Sequence, residues 1–121
     1  MSRVQFIVHN GKQVLLLDFS GASSTADINQ RAEEIKKFVA LHQPQSLLAL
    51  VDFTELKIDG ERTKIIQAMA AHNRPYIRFV ALVGLGFIRS AAFRVMLFLS
   101  ATKNHKVFGN REDALEWLVK K

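Results

Sequence analysis

Ser46-Leu47-Leu48-Ala49-Leu50-Val51-Asp52-Phe53, followed after a short polar stretch by Asp59-Gly60-Glu61-Arg62, is the passage that decides how this chain folds. The first part is short and almost uniformly apolar, as expected of a strand buried on both faces of a parallel sheet. The second opens a helix, with Asp59 placed to cap it and Ile65, Ile66, Met69 and His72 on one face. Asn73-Arg74-Pro75 stops that helix, and the apolar run 76–83 gives the next strand. A strand, a helix and a strand in this order make a crossover unit.

Working outward from this unit, the N-terminal side supplies a hairpin and a helix. Residues 3–9 alternate, Asn10-Gly11 favours a two-residue turn with positive φ, and residues 12–19 follow as a nearly continuous apolar run. Ser24 or Thr25 can cap a helix beginning near Ala26, whose stripe Ile28, Ala32, Ile35 and Val39 faces the sheet while Glu33, Lys36 and Lys37 face water. On the C-terminal side, Gly84-Leu85-Gly86 makes a turn into a helix expected over 87–102. Residues 106–108 form a short last strand, and Asn110, with Asp113 three positions on, caps a final helix burying Ala114, Leu115, Trp117 and Leu118. The order is β-β-α-β-α-β-α-β-α, an α/β architecture with a mixed five-stranded sheet, its first strand antiparallel, and four helices.

The chain has 121 residues, which suits one domain able to bury a core without staples. It has no cysteine, so disulfides and thiolate metal sites are excluded. The opening residues are too polar for a signal peptide, and the expected location is cytoplasmic. The most apolar stretch, 79–101, is long enough for a membrane span, but Gly84, Gly86, Arg89 and Arg94 interrupt it, so strand, turn and buried helix explain it better. The net charge is +6 and is unevenly placed: residues 1–60 carry six basic and seven acidic side chains, residues 61–121 eleven and four. A basic second half suits an acidic protein, a phosphate, a nucleic acid or an anionic lipid surface.

Catalytic and metal-binding patterns are weak. No serine lies in a Gly-x-Ser-x-Gly elbow, and His9, His42, His72 and His105 are scattered without ligand spacing, so no metal or cofactor is expected. Asp18 and Asp52 fall near the carboxyl ends of neighbouring strands, where such sheets place ligands. They could do acid–base work, or each could order its own loop by accepting backbone N–H groups. Gly84, Gly86 and Arg89 could hold an anion, or the glycines could simply serve a tight turn. The basic residues show no interleaving with exposed aromatics, so nucleic acid is not expected. In the 87–102 helix, Ile88, Ala92, Val95, Met96 and Leu99 form a stripe, yet Phe93 and Leu97 lie off it and Phe98 lies nearly opposite. Two apolar faces, flanked by Arg89 and Arg94, are either covered by the chain itself or offered to a partner, and a homodimer would cover both.

Two motifs carry a family resemblance: Val51-Asp52-Phe53-Thr54 with Ile58-Asp59-Gly60, and, more specifically, Lys106-Val107-Phe108-Gly109-Asn110-Arg111-Glu112-Asp113-Ala114-Leu115-Glu116-Trp117-Leu118. On these, the whole chain resembles the SpoIIAA-like or STAS (sulfate transporter and anti-sigma factor antagonist) domains, and is most similar to their standalone STAS/SEC14-like branch. The resemblance implies a non-enzymatic interaction module whose partner surface is the second helix with its preceding loop, and the following helix. Residues carried by that reading are Asp52, Thr54, Asp59, Gly60, Arg62, Thr63, Arg89, Phe93, Arg94, Leu97 and Phe98. In anti-sigma factor antagonists an Asp-Ser pair at the helix start is phosphorylated on serine. Here the matching pair is Asp59-Gly60, without a hydroxyl, and the nearest hydroxyls are Thr54 and Thr63. The expected partner is a protein or a second copy of the chain. The alternative implied by the SEC14-like likeness is a carrier of a lipid or apolar small molecule, with the ligand under the apolar helix.

Overall fold

Asn10 and Gly11 both take positive φ, 49° and 79°, and turn the chain between β1 (Val4–His9) and β2 (Lys12–Asp18), with His9 opposite Lys12. The computed structural model describes residues 3–88 and 104–121. After the hairpin come α1 (Thr25–Val39), β3 (Leu47–Asp52), α2 (Gly60–Asn73), β4 (Ile77–Val83), a 3-10 turn (Leu85–Phe87), β5 (His105–Phe108) and α3 (Arg111–Val119). The strands lie in the order β1-β2-β3-β4-β5, with β1 antiparallel to β2 and every later pair parallel.

Helices cover both faces, which explains why β2 and β3 read as continuous apolar runs. On one face Leu15, Leu17, Ala49 and Val51 meet Ile28, Ala32, Ile35 and Val39 of α1 and Ile66 and Met69 of α2. On the other, Val14, Leu16, Leu50, Ala81 and Val83 meet Ala114 and Leu118 of α3. The caps follow the sequence. Ser24 accepts from the Asp27 N–H at 3.1 Å, Asp59 from Arg62 at 2.8 Å and Asn110 from Asp113 at 2.8 Å.

Three expectations change. His72 is exposed, and Asn73, four residues after Met69, takes the inner position of α2. Leu115 and Trp117 are half-buried, and only Ala114 and Leu118 of α3 are fully covered. No helix begins at Phe87: Gly84 is left-handed at φ 83°, Leu85–Phe87 makes one 3-10 turn, and Ile88 is extended with its side chain in the core. Three α-helices are therefore described instead of four, and the rest of the helix expected over 87–102 lies outside the described residues. Among the described residues, no helix is long and apolar enough to cross a membrane.

Candidate functional site

Because β2, β3, β4 and β5 are parallel, their carboxyl ends and the loops after them share one edge of the sheet. Asp18 and Asp52 are paired in register there. Each begins the same local pattern, Asp18-Phe19-Ser20 and Asp52-Phe53-Thr54. In both, the aspartate accepts a hydrogen bond from the backbone N–H two residues on, Ser20 and Thr54, each at 2.8 Å. The phenylalanine between turns into the core, where the two rings stack at 6.1 Å. The Phe19 N–H donates to the Asp52 carbonyl at 2.9 Å, so the two turns are themselves joined.

Two arginines, one before β1 and one at the start of α3, close on these carboxylates. Asp52 is buried, and a buried charge needs both partner and hydrogen bonds. Arg111, the first residue of α3, supplies them through Nε at 2.7 Å and Nη2 at 2.6 Å to Oδ2. The same Nη2 stands 4.0 Å from Asp18 Oδ1. Arg3 donates to the other oxygen of Asp18 at 3.1 Å. Burial works against charge on Asp18, but the Ser20 hydroxyl and amide and the Arg3 guanidinium outweigh it and hold its carboxyl below the usual range. That shift runs opposite to what general acid–base work requires. The geometry thus gives the loop-ordering reading of the two aspartates.

The loops so fastened also hold one another. Gly21 N–H donates to the Thr54 carbonyl at 2.9 Å and Lys57 N–H to the Ala22 carbonyl at 3.0 Å. Arg62 Nη1 reaches back to the Lys57 carbonyl at 2.9 Å, and its Nε reaches Thr25 Oγ1 at 3.3 Å. Arg31, buried in α1, grips both carboxylate oxygens of Asp27 at 2.9 and 3.0 Å and donates to the Ser20 carbonyl at 2.9 Å. Between the loops lies an open groove of about 550 Å³ lined by Gly21, Ser23, Glu55, Leu56 and Lys57. Glu55 holds φ 58° there, a left-handed conformation costly for a residue with a Cβ.

Of the residues expected to bind a partner, Asp52, Thr54, Asp59, Gly60, Arg62 and Thr63 belong to this loop and helix start. Asp59 and Thr63 are tied together, the Thr63 hydroxyl donating to the Asp59 carbonyl at 2.7 Å. Gly60 is exposed with open space around it. Gly84 joins the group from β4: a Cβ built on it would fall onto the Thr54 backbone nitrogen and 2.7 Å from Thr54 Oγ1. Its glycine therefore serves close approach of two loops. Gly86 lies in the 3-10 turn, exposed. Arg89, Phe93, Arg94, Leu97 and Phe98 lie outside the described residues, and with them the expected anion contact of Arg89 and the expected ligand space under that helix.

Arg3, Arg31 and Arg111 were not singled out by the sequence reading. Arg31 had a signal, a charged residue between Ile28 and Ile35 on the apolar stripe and four residues after Asp27. Arg111 had another, a cation at a helix N-terminus, where the dipole disfavours it. Among the described residues no three histidine or acidic side chains gather as metal ligands. His9 pairs with Glu116 at 2.8 Å, and His42 bonds to the Phe38 carbonyl at 3.0 Å.

Compared with family models and with curated proteins, the chain matches none. Among solved structures it is similar to an uncharacterised protein of the DUF3478 family with a SpoIIAA-like fold from Shewanella loihica PV-4, at 22% sequence identity and a TM-score of 0.72, over 95% of this chain and 91% of that chain. The likeness shows the fold: a SpoIIAA-like α/β arrangement with a mixed five-stranded sheet whose first pair is antiparallel.

Proposed function

We propose that this chain is a STAS-like interaction module, which docks a protein partner or a second copy of itself through the strand-end surface made by the loops after β2 and β3 and the first turn of α2. The observation that carries this is the set of bonds between loops: Gly21 to Thr54, Lys57 to Ala22, and Arg62 to Lys57 and Thr25. Loops ordered in advance lose less entropy on association than free ones. The left-handed Glu55 at the rim of the groove is strain held by these contacts, as at many binding loops. The two aspartates support the same reading, since both are spent on fastening.

Docking at this surface is not switched by phosphate at position 60, where glycine has no hydroxyl to carry it. The Thr63 hydroxyl is engaged by the backbone. Partner choice then rests on the shape and charge of the exposed Glu55, Lys57, Asp59 and Glu61.

The test is site-specific photo-crosslinking in the source cells, with the crosslinker placed at Lys57 or Glu61 and, as control, at exposed Gln43 near the opposite edge of the sheet. A discrete adduct from the first two positions and none from Gln43 supports the reading. Equal adducts from all three, or none at Lys57 and Glu61, overturns it.

A further inference from the structure

The face carrying α3 holds a second feature, away from the strand-end loops. Among the described residues one nine-residue helix lies on this face of the sheet, and the β4–β5 flank beside it carries aromatic rings. Phe79 meets Trp117 edge-on at 5.8 Å, and Phe108 meets Trp117 at 5.6 Å. All three rings are half-buried. Over them stand cations: Lys121 Nζ at 4.8 Å from the Trp117 centroid and 5.5 Å from Phe79, Lys106 Nζ at 5.5 Å from Phe108, and the Arg78 guanidinium at 5.7 Å from Phe79. Arg78 also donates to the main-chain oxygen of Lys121 at 2.9 Å, which ties the end of the chain to the start of β4.

None of these three cations pairs with an aspartate or glutamate. The chain has 11 acidic side chains, and the stretch 89–103 contains none of them, so all 11 lie among the described residues. The acidic residues of α3 are placed elsewhere. Glu112 and Asp113 sit in its first turn, about 12 Å along the axis from Lys121, and Glu116 is engaged by His9 and Asn10. Three positive charges are thus held by ring contacts with no acidic side chain beside them, and the main-chain oxygen of Lys121 offsets part of the charge on Arg78.

We infer that this aromatic shelf, with Arg78, Lys106 and Lys121 on it, is a docking surface for an acidic, extended segment of a protein partner. Base stacking would need open ring faces, and here cations stand over them. Insertion into a lipid surface would need protruding apolar groups, and here the rings are packed between helix and sheet. What faces outward is a row of point charges. Lys106 lies in register with Ala81, three residues beyond Arg78 on the neighbouring strand, so the row is about 10 Å long. An extended peptide sets alternate side chains about 7 Å apart, which lets two carboxylates meet such a row. No residue is shared with the strand-end surface, so either reading can fail without the other.

The experiment measures binding of fluorescently labelled hexaglutamate to the full chain, beside oligothymidylate of equal charge and vesicles containing phosphatidylserine. Lys106→Glu with Lys121→Glu is expected to weaken hexaglutamate binding about tenfold. Lys106→Gln with Lys121→Gln gives a smaller loss in the same direction and stands in if the charge reversal does not fold. Lys12→Glu with Lys37→Glu, which changes the net charge equally, is expected to change affinity less than about twofold. The inference is overturned if hexaglutamate does not bind, if the Lys12 and Lys37 pair matters as much, or if oligothymidylate or vesicles bind as tightly as hexaglutamate.

Discussion

Arg111 grips Oδ2 of Asp52 with Nε at 2.7 Å and Nη2 at 2.6 Å, while the other oxygen of the same carboxylate receives the Thr54 N–H at 2.8 Å. One side chain therefore joins the end of β3, the loop after it and the start of α3. The aspartate is nearly enclosed and the arginine is 44% exposed, so the energetic burden is unequal. Truncating the arginine lets water replace it; truncating the aspartate strands a loop amide as well.

A double-mutant cycle measures that inequality. Asp52→Ala is expected to cost about 2–4 kcal/mol and Arg111→Ala about 1–2 kcal/mol. The double variant should fall short of the sum by about 0.5–2 kcal/mol. Urea unfolding at neutral pH reads all three, and strict additivity would show that the pair is not a fastener.

Acid should weaken the fold through Asp18. Against burial, the Ser20 hydroxyl and amide and the Arg3 guanidinium hold its carboxyl below the usual carboxylate range in the folded chain, so its contribution is present above the unfolded pKa and lost as pH falls through the folded pKa. Ser20→Ala removes one donor and is expected to raise the Asp18 midpoint towards that of an ordinary aspartate in an NMR titration of its side-chain carbonyl carbon. Asp18→Asn should flatten the dependence of stability on pH below about 4.

Two glycines of the candidate surface should respond in opposite ways. Gly84→Ala forces a Cβ onto the Thr54 backbone at φ 83° and is expected to destabilise by more than about 2 kcal/mol. Gly60→Ala meets open space at the first position of α2 and should be neutral or stabilise by up to about 1 kcal/mol. Thermal unfolding of the two variants checks the pair.

Arg31→Lys keeps the charge but loses the two-pronged grip on Asp27 and the reach to the Ser20 carbonyl. A loss of about 1–3 kcal/mol is expected, with amide shifts in NMR concentrated in residues 18–24. A uniform response across α1 instead would show that Arg31 serves only its own helix.

Much of this architecture is legible in the chain because local and global preferences agree. Asn10-Gly11 fits the turn, and Ser24, Asp59 and Asn110 each cap the helix that they precede. The apolar runs of β2 and β3 announce burial on both faces. Loop ordering by Asp18 and Asp52 was also legible, since Asp-Phe-Ser and Asp-Phe-Thr recur at two strand ends. The arginines were harder. Arg111 lies 59 residues from Asp52, and only the parallel order of the strands brings them together. The basic shelf escaped for the same reason. Arg78, Lys106 and Lys121 are far apart in sequence, and their aromatic neighbours are shared across β4, β5 and α3.

The central claim is that the strand-end loops are held in advance as one surface, and hydrogen exchange of Arg111→Ala tests it most directly. The account predicts that the Thr54 and Phe19 amides, which bond to the Asp52 side chain and carbonyl, lose protection together and by more than the amides in the middle of α1. Protection at Thr54 and Phe19 that falls only as far as that of α1 would contradict it, because the loops would then be ordered independently of the link that is said to fasten them.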